Sequence, residues 1–410
     1  MKELRNKFVL KCRECGEQHP AKRIYACQEC FGPLDVIYDY NDISLTKDVL
    51  RGRRQNLWRY FELLPINDRE NMIDLGAGYT TLQKCEELGK RIGLKNLFIK
   101  NDTTNPTYSF KDRPASVAVS KALEFHTKAV GCASTGNLAA ATAAHAAKAG
   151  LPCYVFIPEG IEPNKIAQTA AYGARIIKVK GTYDETNRLA YQAAELYNID
   201  IVNINLRPYY VEGSKTLAYE VCEQLDWHTP DRVIIPTASG AMLCAIEKGF
   251  REFKELGLTD EVDTKLVCAQ AEGCAPIVKS FNTSSRQVQP IENPETVAHS
   301  LAIGDPGDGI YVLEKLRRSK GTAEAATDKE ITDAIELLAQ TEGIFAEPAG
   351  GVSVAVLKKL AERGEIDPNE KVVCYVTGNG LKSPEALPSQ ITESIPIEPR
   401  IQSFAYVIGR

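Results

Sequence analysis

No apolar run of about 18 residues or more occurs in the sequence, and its polar, charged first residues hold no signal-peptide core. The expectation is a soluble, cytoplasmic protein with no membrane partner. An excess of positive charge is missing too. The 49 basic and 54 acidic residues give a net charge of −5, which argues against a nucleic-acid partner. No G-x-G-x-x-G follows a strand-like run, so a dinucleotide site is disfavoured. No Gly-Lys-Ser/Thr closes a glycine-rich loop, which argues against nucleotide hydrolysis. Long repeats and low-complexity tracts are absent. What is present is 410 residues, 44 % of them hydrophobic, ample for a large core. At about 100–200 residues per domain, the length suggests two or three domains.

Four of the twelve cysteines form two C-x2-C pairs, Cys12/Cys15 and Cys27/Cys30. Each pair can bring two thiolates to one tetrahedral ion, and Gly16 and Gly32 follow where a metal knuckle turns tightly. The reading is a zinc ribbon over residues 1–40. Its role is structural, because four sulfurs leave no open position on the metal. Free thiols without metal are the alternative. His19 reads as a bystander. The other eight cysteines are scattered, several in apolar runs (Cys132, Cys153, Cys268, Cys374), as expected of buried thiols in a reducing compartment.

The chemistry centres on Thr107-Tyr-Ser-Phe-Lys-Asp-Arg113. Leu97–Lys100 reads as a strand, Asn105-Pro106 as a turn, and Ser109 as the N-cap of a helix over about 110–125. Lys111 then falls in the first helical turn, where positive charge is disfavoured. A partly neutral lysine there can attack a carbonyl and form a Schiff base. Residues 129–133 read as a buried strand and Leu138–Ala149 as a helix, so Ser134–Asn137 is a strand-to-helix turn with free N–H groups able to hold a carboxylate. Strands and helices go on alternating to about residue 225, which argues for a mostly parallel sheet. After a strand at 232–236, Thr237-Ala238-Ser239-Gly240-Ala241 opens another helix, and its small residues suit a phosphate cup. Residues 281–308 are irregular and are expected to border the site. Asp328 is expected to cap a helix over about 329–340. A last strand, Lys371–Val376, ends at Thr377.

Ser109-Phe-Lys-Asp-Arg113 followed by Ser134-Thr-Gly-Asn137 resembles the threonine synthase family of pyridoxal-phosphate (PLP) enzymes, of the tryptophan-synthase-beta fold type II. The likeness runs from about residue 60 to residue 386. It takes in Asp305-Pro-Gly-Asp-Gly309, Ala349-Gly-Gly-Val352 and Thr377-Gly-Asn-Gly-Leu-Lys382. Two local departures stand out. Thr81 replaces a family proline, and Ala238 and Ala241 replace glycines of the cup. The resemblance implies an α/β chain with two three-layer α/β/α domains around a cleft, plus the ribbon. Residues 41–115 and 226–410 would form the large domain, and 116–225 a smaller nested one. Lys111 would carry PLP and move protons. Asn137 would meet the ring hydroxyl, residues 237–241 the cofactor phosphate, and Thr377 the pyridine nitrogen. Ser134 and Thr135 would hold the substrate carboxylate, with Ser109 and Arg113 near the substrate phosphate or, for Arg113, paired to Asp112. The implied reaction turns O-phospho-L-homoserine and water into L-threonine and phosphate, in a homodimer. Paralogues such as cysteate synthase (O-phosphoserine plus sulfite) or threonine and diaminopropionate lyases share the lysine and cup. A catalytically silent scaffold would show no cofactor absorbance.

Overall fold

The computed structural model describes residues 7–160, 163–387 and 394–408. Its N-terminal strands β1 (Phe8–Cys12), β2 (Gln18–His19) and β3 (Leu34–Tyr38) form an antiparallel sheet with β1 in the middle. β4 (Leu82–Lys84) and β5 (Asn96–Asn101) then open a larger sheet. The chain leaves it to build a four-stranded parallel sheet from β6 (Ala129–Ala133), β7 (Cys153–Pro158), β8 (Arg175–Val179) and β9 (Ile199–Ile201), ordered β8-β7-β6-β9. It returns with β10 (Arg232–Pro236), β11 (Lys265–Ala271), β12 (Thr322–Ala326) and β13 (Lys371–Val376). These complete a six-stranded sheet, β12-β11-β10-β13-β5-β4, parallel except for β4.

The central strands are apolar on both faces because helices cover both. Along β10, Val233 and Ile235 enter one core with Leu266, Cys268 and Tyr375, while Ile234 enters the other with Val267, Cys374 and Val352. This is the two-residue side-chain period of a strand, buried on either side. The aromatic-rich stretch Leu57–Phe61 packs internally, with Leu57, Trp58 and Phe61 against Val117. The ribbon is no free appendage either. Phe8, Leu10, Val36 and Tyr38 share a core with Ala118, Val119 and Tyr209.

Two helix starts differ from expectation. The helix after Ser109 begins at Asp112, with Lys111 as its N-cap. The later helix spans Asp328–Glu342, and Thr327 caps it through a reciprocal pair of bonds with Glu330, so Asp328 is its first residue.

Candidate active site

Lys111 is held by the turn that follows β13. The Phe110 N–H donates to the Thr377 carbonyl at 2.8 Å, and the Asn379 N–H to the Tyr108 carbonyl at 3.0 Å. Ser109 and Gly378 form a bridge between these bonds. The arrangement needs a left-handed Tyr108 (φ 66°), an unusual conformation for a bulky residue. The Tyr108 side chain is half-exposed and does not crowd the interior. Lys111 Nζ donates to the Tyr210 hydroxyl at 3.2 Å and lies 4.5 Å from the Phe110 ring centroid. Ser109 makes no side-chain cap. Its Oγ is buried and has no hydrogen-bond partner among the described residues.

Across the cleft, Ser134 and Thr135 are half-buried in the turn after β6, and the helix Asn137–Ala149 starts without a side-chain cap. Its first amides are therefore open to an anion. The Asn137 Nδ2 donates to both Glu347 carboxylate oxygens, at 2.8 and 3.0 Å. Glu347 precedes the helix Pro348–Glu362 of the larger sheet, and its N–H donates to the Gly378 carbonyl at 2.9 Å. A Cβ at residue 378 would run into the Glu347 carboxylate and displace it from Asn137. Burial pushes the Glu347 carboxyl up, and the Asn137 bond, Lys382 and Lys111 oppose that shift. The buried His145 lies 3.8 Å from Asp112, but burial lowers the imidazole to about 4, so near neutral pH the two do not form an ion pair.

The turn after β10 forms the third wall. Thr237 is buried and its N–H donates to the Ala269 carbonyl at 2.8 Å, while Ala238, Ser239 and Ala241 are half-buried. Gly240 has φ 95°, and a Cβ there would come within 2.6 Å of Val312 Cγ2. The helix Ala241–Glu255 has no side-chain bond from its N-cap Gly240; the Ala241 N–H donates to the Ser239 Oγ at 3.5 Å, and the next amides of the first turn have no intrahelical partner and can meet an anion. Asp308, from the irregular loop, closes the turn by donating its N–H to the Ser239 carbonyl at 2.9 Å.

The pyridoxal-phosphate dependent enzyme family matches residues 73–378. A threonine synthase of Methanocaldococcus jannaschii is 43% identical over 394 residues, covering 95% of this chain and 97% of that protein. One from Halalkalibacterium halodurans is 41% identical over 336 residues, covering 82% and 91%. This chain belongs to the threonine synthase family of PLP-dependent enzymes. Solved structures agree in fold. Maize serine racemase superposes with a TM-score of 0.64 at 20% identity, covering 81% of this chain and 93% of that one. Diaminopropionate ammonia lyase from Escherichia coli gives 0.64 at 18%, covering 76% and 87%. The residues present suit the family's cofactor: an amine at Lys111 and, after β10, a turn of small residues around the left-handed Gly240 that opens onto a helix N-terminus.

One assignment carried over from the threonine synthase family is corrected. Arg113 does not face the cleft, nor does it pair with Asp112. It is fully buried and holds Asp102 through Nε at 2.6 Å and Nη2 at 2.9 Å. It also pairs with Glu220 and bonds the Thr216 and Thr80 hydroxyls. No donor is left for substrate. Asp112 instead accepts from Thr107 N–H at 2.8 Å, and burial pushes its carboxyl up to about 7. Sequence reasoning gave no role to Tyr210, Glu347, Asp308 or Lys382. Lys382 had a signal, since it ends the Thr377–Lys382 motif. It donates to Gln168 Oε1 at 2.9 Å, across the cleft from its own turn.

The sulfur atoms of Cys12, Cys15, Cys27 and Cys30 all lie within 4.8 Å of one another, a set that can hold a metal ion. The Glu14 and Glu29 N–H groups donate to Cys12 and Cys27 Sγ, each at 3.4 Å. His19, expected to stand apart, places Nε2 3.3 Å from Cys27 Sγ.

Proposed function

We propose that this chain converts O-phospho-L-homoserine and water into L-threonine and phosphate, with Lys111 as cofactor-bearing amine and proton carrier. The observation that carries this is Lys111 at the junction of the two sheets, within reach of Tyr210 and stitched to Thr377, in a chain 43% identical to a threonine synthase over 95% of its length. When bound, PLP supplies the electron sink for carbanions at the substrate's α and β carbons. Residues 237–241 anchor its phosphate through backbone N–H groups and Ser239, Asn137 meets its ring hydroxyl, and Thr377 its pyridine nitrogen. A threonine hydroxyl there does not hold that nitrogen protonated as a carboxylate would.

Ser134, Thr135 and the amides at the start of the helix Asn137–Ala149 bind the substrate carboxylate. Lys111 removes the α proton, then the β proton that must leave before the γ-phosphate can depart, and returns a proton to Cγ before water adds at Cβ. Tyr210 holds the amine in place between these transfers. With Arg113 committed to Asp102 and Glu220, Lys382 and Ser109 take the substrate phosphate. Burial lowers the Lys382 amine, with Glu347 and Asp112 opposing, which marks it as a partly desolvated cation beside the cleft.

We assign the four-cysteine cluster a structural zinc ion, on the closeness of the sulfurs. We read the enzyme as cytoplasmic, on its buried free thiols. We also read it as a homodimer. The helix Ile401–Ile408 exposes Ile401, Phe404 and Ile408 on one face, which a second copy would cover, and a monomer in sedimentation would contradict this. Incubation with O-phospho-L-homoserine, with phosphate measured and the amino acid identified by chromatography, tests the reaction. Phosphate without threonine would refute it.

A further inference from the structure

We propose that the cysteine ribbon is a clamp on the cofactor-phosphate cup, with Arg13 and Asp308 as its positioning residues. The inference rests on the reading of residues 237–241 as that cup.

Arg13 lies between the two cysteines of the first C-x2-C pair. Its Nη2 donates to Asp35 Oδ1 within the ribbon, and its Nη1 reaches out to Asp308 Oδ1, each at 2.7 Å. The guanidinium lies 4.7 Å from the Tyr311 ring centroid, and the Tyr311 hydroxyl donates to the neighbouring Glu14. Two successive residues of the knuckle thus grip the segment that carries Asp308 and Tyr311. The Asp308 side chain is 1 % exposed, and Arg207 also pairs with it. Asp308 in turn sets the cup. Its N–H holds the Ser239 carbonyl, and its Cβ is 3.1 Å from where a Gly240 Cβ would stand. Arg207 begins the short helix Arg207–Tyr210, whose last residue meets Lys111. A line of direct contacts therefore runs from the cysteine knuckle through Arg13 and Asp308 to the cup, and through Arg207 to the lysine.

Beside this line of polar contacts, Ala241 of the cup packs against the core that the ribbon shares. A cavity of about 320 Å³ separates the ribbon from the helix that starts at the cup, lined by Cys12, Arg13, Asp35, Ala241, Cys244 and Lys248. Beside it, Lys248 reaches the Val36 carbonyl at 2.6 Å. Loss of the Arg13 cation would leave a buried carboxylate with Arg207 alone, and the loop would shift toward water. Anion binding by backbone amides depends on their alignment, so the cup would lose phosphate affinity. Opening the knuckle by removing its metal would have the same effect, because the Cys12–Cys15 turn aims Arg13.

The test titrates cofactor-free full-length protein with PLP and with pyridoxal, which lacks the phosphate. Arg13→Gln is expected to weaken PLP binding about tenfold and leave pyridoxal binding within about twofold. Zinc content and the Tm of the cofactor-free protein should match the parent. Arg13→Lys should restore part of the loss. Asp308→Asn gives the same readout should Arg13→Gln fail to fold, and chelation of the metal under reducing conditions should reproduce it. Ser239→Asp, which puts a negative charge in the cup, is the control. Selective loss of PLP binding in Ser239→Asp but not in the clamp variants would overturn the clamp and keep the cup. Unchanged PLP binding in Ser239→Asp would overturn the cup reading itself. Equal loss of both ligands in Arg13→Gln would reduce Arg13 to a merely structural role and refute the proposal.

Discussion

The Asn137 amide and the Glu347 carboxylate meet at 2.8 and 3.0 Å, and this pair ties the helix after β6 to the helix beside β13 across the cleft. An amide nitrogen has two hydrogens. Both bonds go to the Glu347 carboxylate, which fixes the amide's plane, and the proposed contact with the cofactor's ring hydroxyl would take over one of them. Asn137→Ala is expected to keep bound PLP and to lower kcat about tenfold to a hundredfold, since the loss is one of orientation. Glu347→Ala should have a similar effect, and the double variant should be hardly worse than either single one. Cofactor absorbance together with kcat checks this. Folded Asn137→Ala protein without cofactor would show that the assignment is wrong.

Lys111→Ala should fold, with a Tm close to the parent's in the cofactor-free state, because among the described residues Nζ makes one hydrogen bond, to Tyr210, and ring contacts to Phe110 and Tyr210. It should be essentially inactive. After borohydride reduction of the parent, peptide mass spectrometry should find the pyridoxyl group on Lys111. Its appearance on another lysine would move the site.

Arg113 governs stability. Arg113→Ala leaves the buried Asp102 without its guanidinium and Glu220 with Lys100 alone, and it should lower stability by about 3–5 kcal/mol in denaturant titration. The same network sets an acid limit. Burial would raise the Glu220 carboxyl, but Arg113 and Lys100 outweigh it and hold it at about 2. A depressed carboxyl contributes stability that is present above the ordinary carboxylate range and is lost as pH falls through the folded value. Stability should therefore decline between about pH 4.5 and pH 2. A variant Arg113→Ala as stable as the parent, with only a raised KM, would return Arg113 to the substrate.

The ribbon should hold stoichiometric zinc in protein purified without chelators, and Cys27→Ser should lower both metal content and folding yield. Elemental analysis decides this, and zinc-free protein of native stability would contradict it.

The sequence made the individual turns legible but not the contacts between them. Lys111, Ser134–Asn137 and residues 237–241 each sit where a strand pattern gives way to a helix pattern, which is local information. Glu347 was missed because its partner Asn137 lies 210 residues away and no periodicity links the two. Arg113 was misplaced for the opposite reason. It is two residues from Lys111 in sequence, yet two residues along a helix turn a side chain to nearly the opposite side. The cap at Thr327 was legible, since Glu330 stands three residues after it, but the neighbouring Asp328 is an equally good capping type. The nested order of the two sheets follows from the alternating pattern together with the family likeness. The grip of the ribbon on Asp308 joins residues too distant for either to reveal.

A γ-phosphate substrate differs from a β-phosphate one by a methylene, which a pocket discriminates by only about 1–3 kcal/mol. The chemistry separates them further, because only the γ-phosphate requires a second deprotonation. The most direct measurement compares kcat/KM for O-phospho-L-homoserine, O-phosphoserine with sulfite, and threonine, following phosphate release and identifying each product. The highest value is expected for O-phospho-L-homoserine, with L-threonine and phosphate formed in equal amounts. Cysteate from O-phosphoserine and sulfite, with little threonine from O-phospho-L-homoserine, would contradict it.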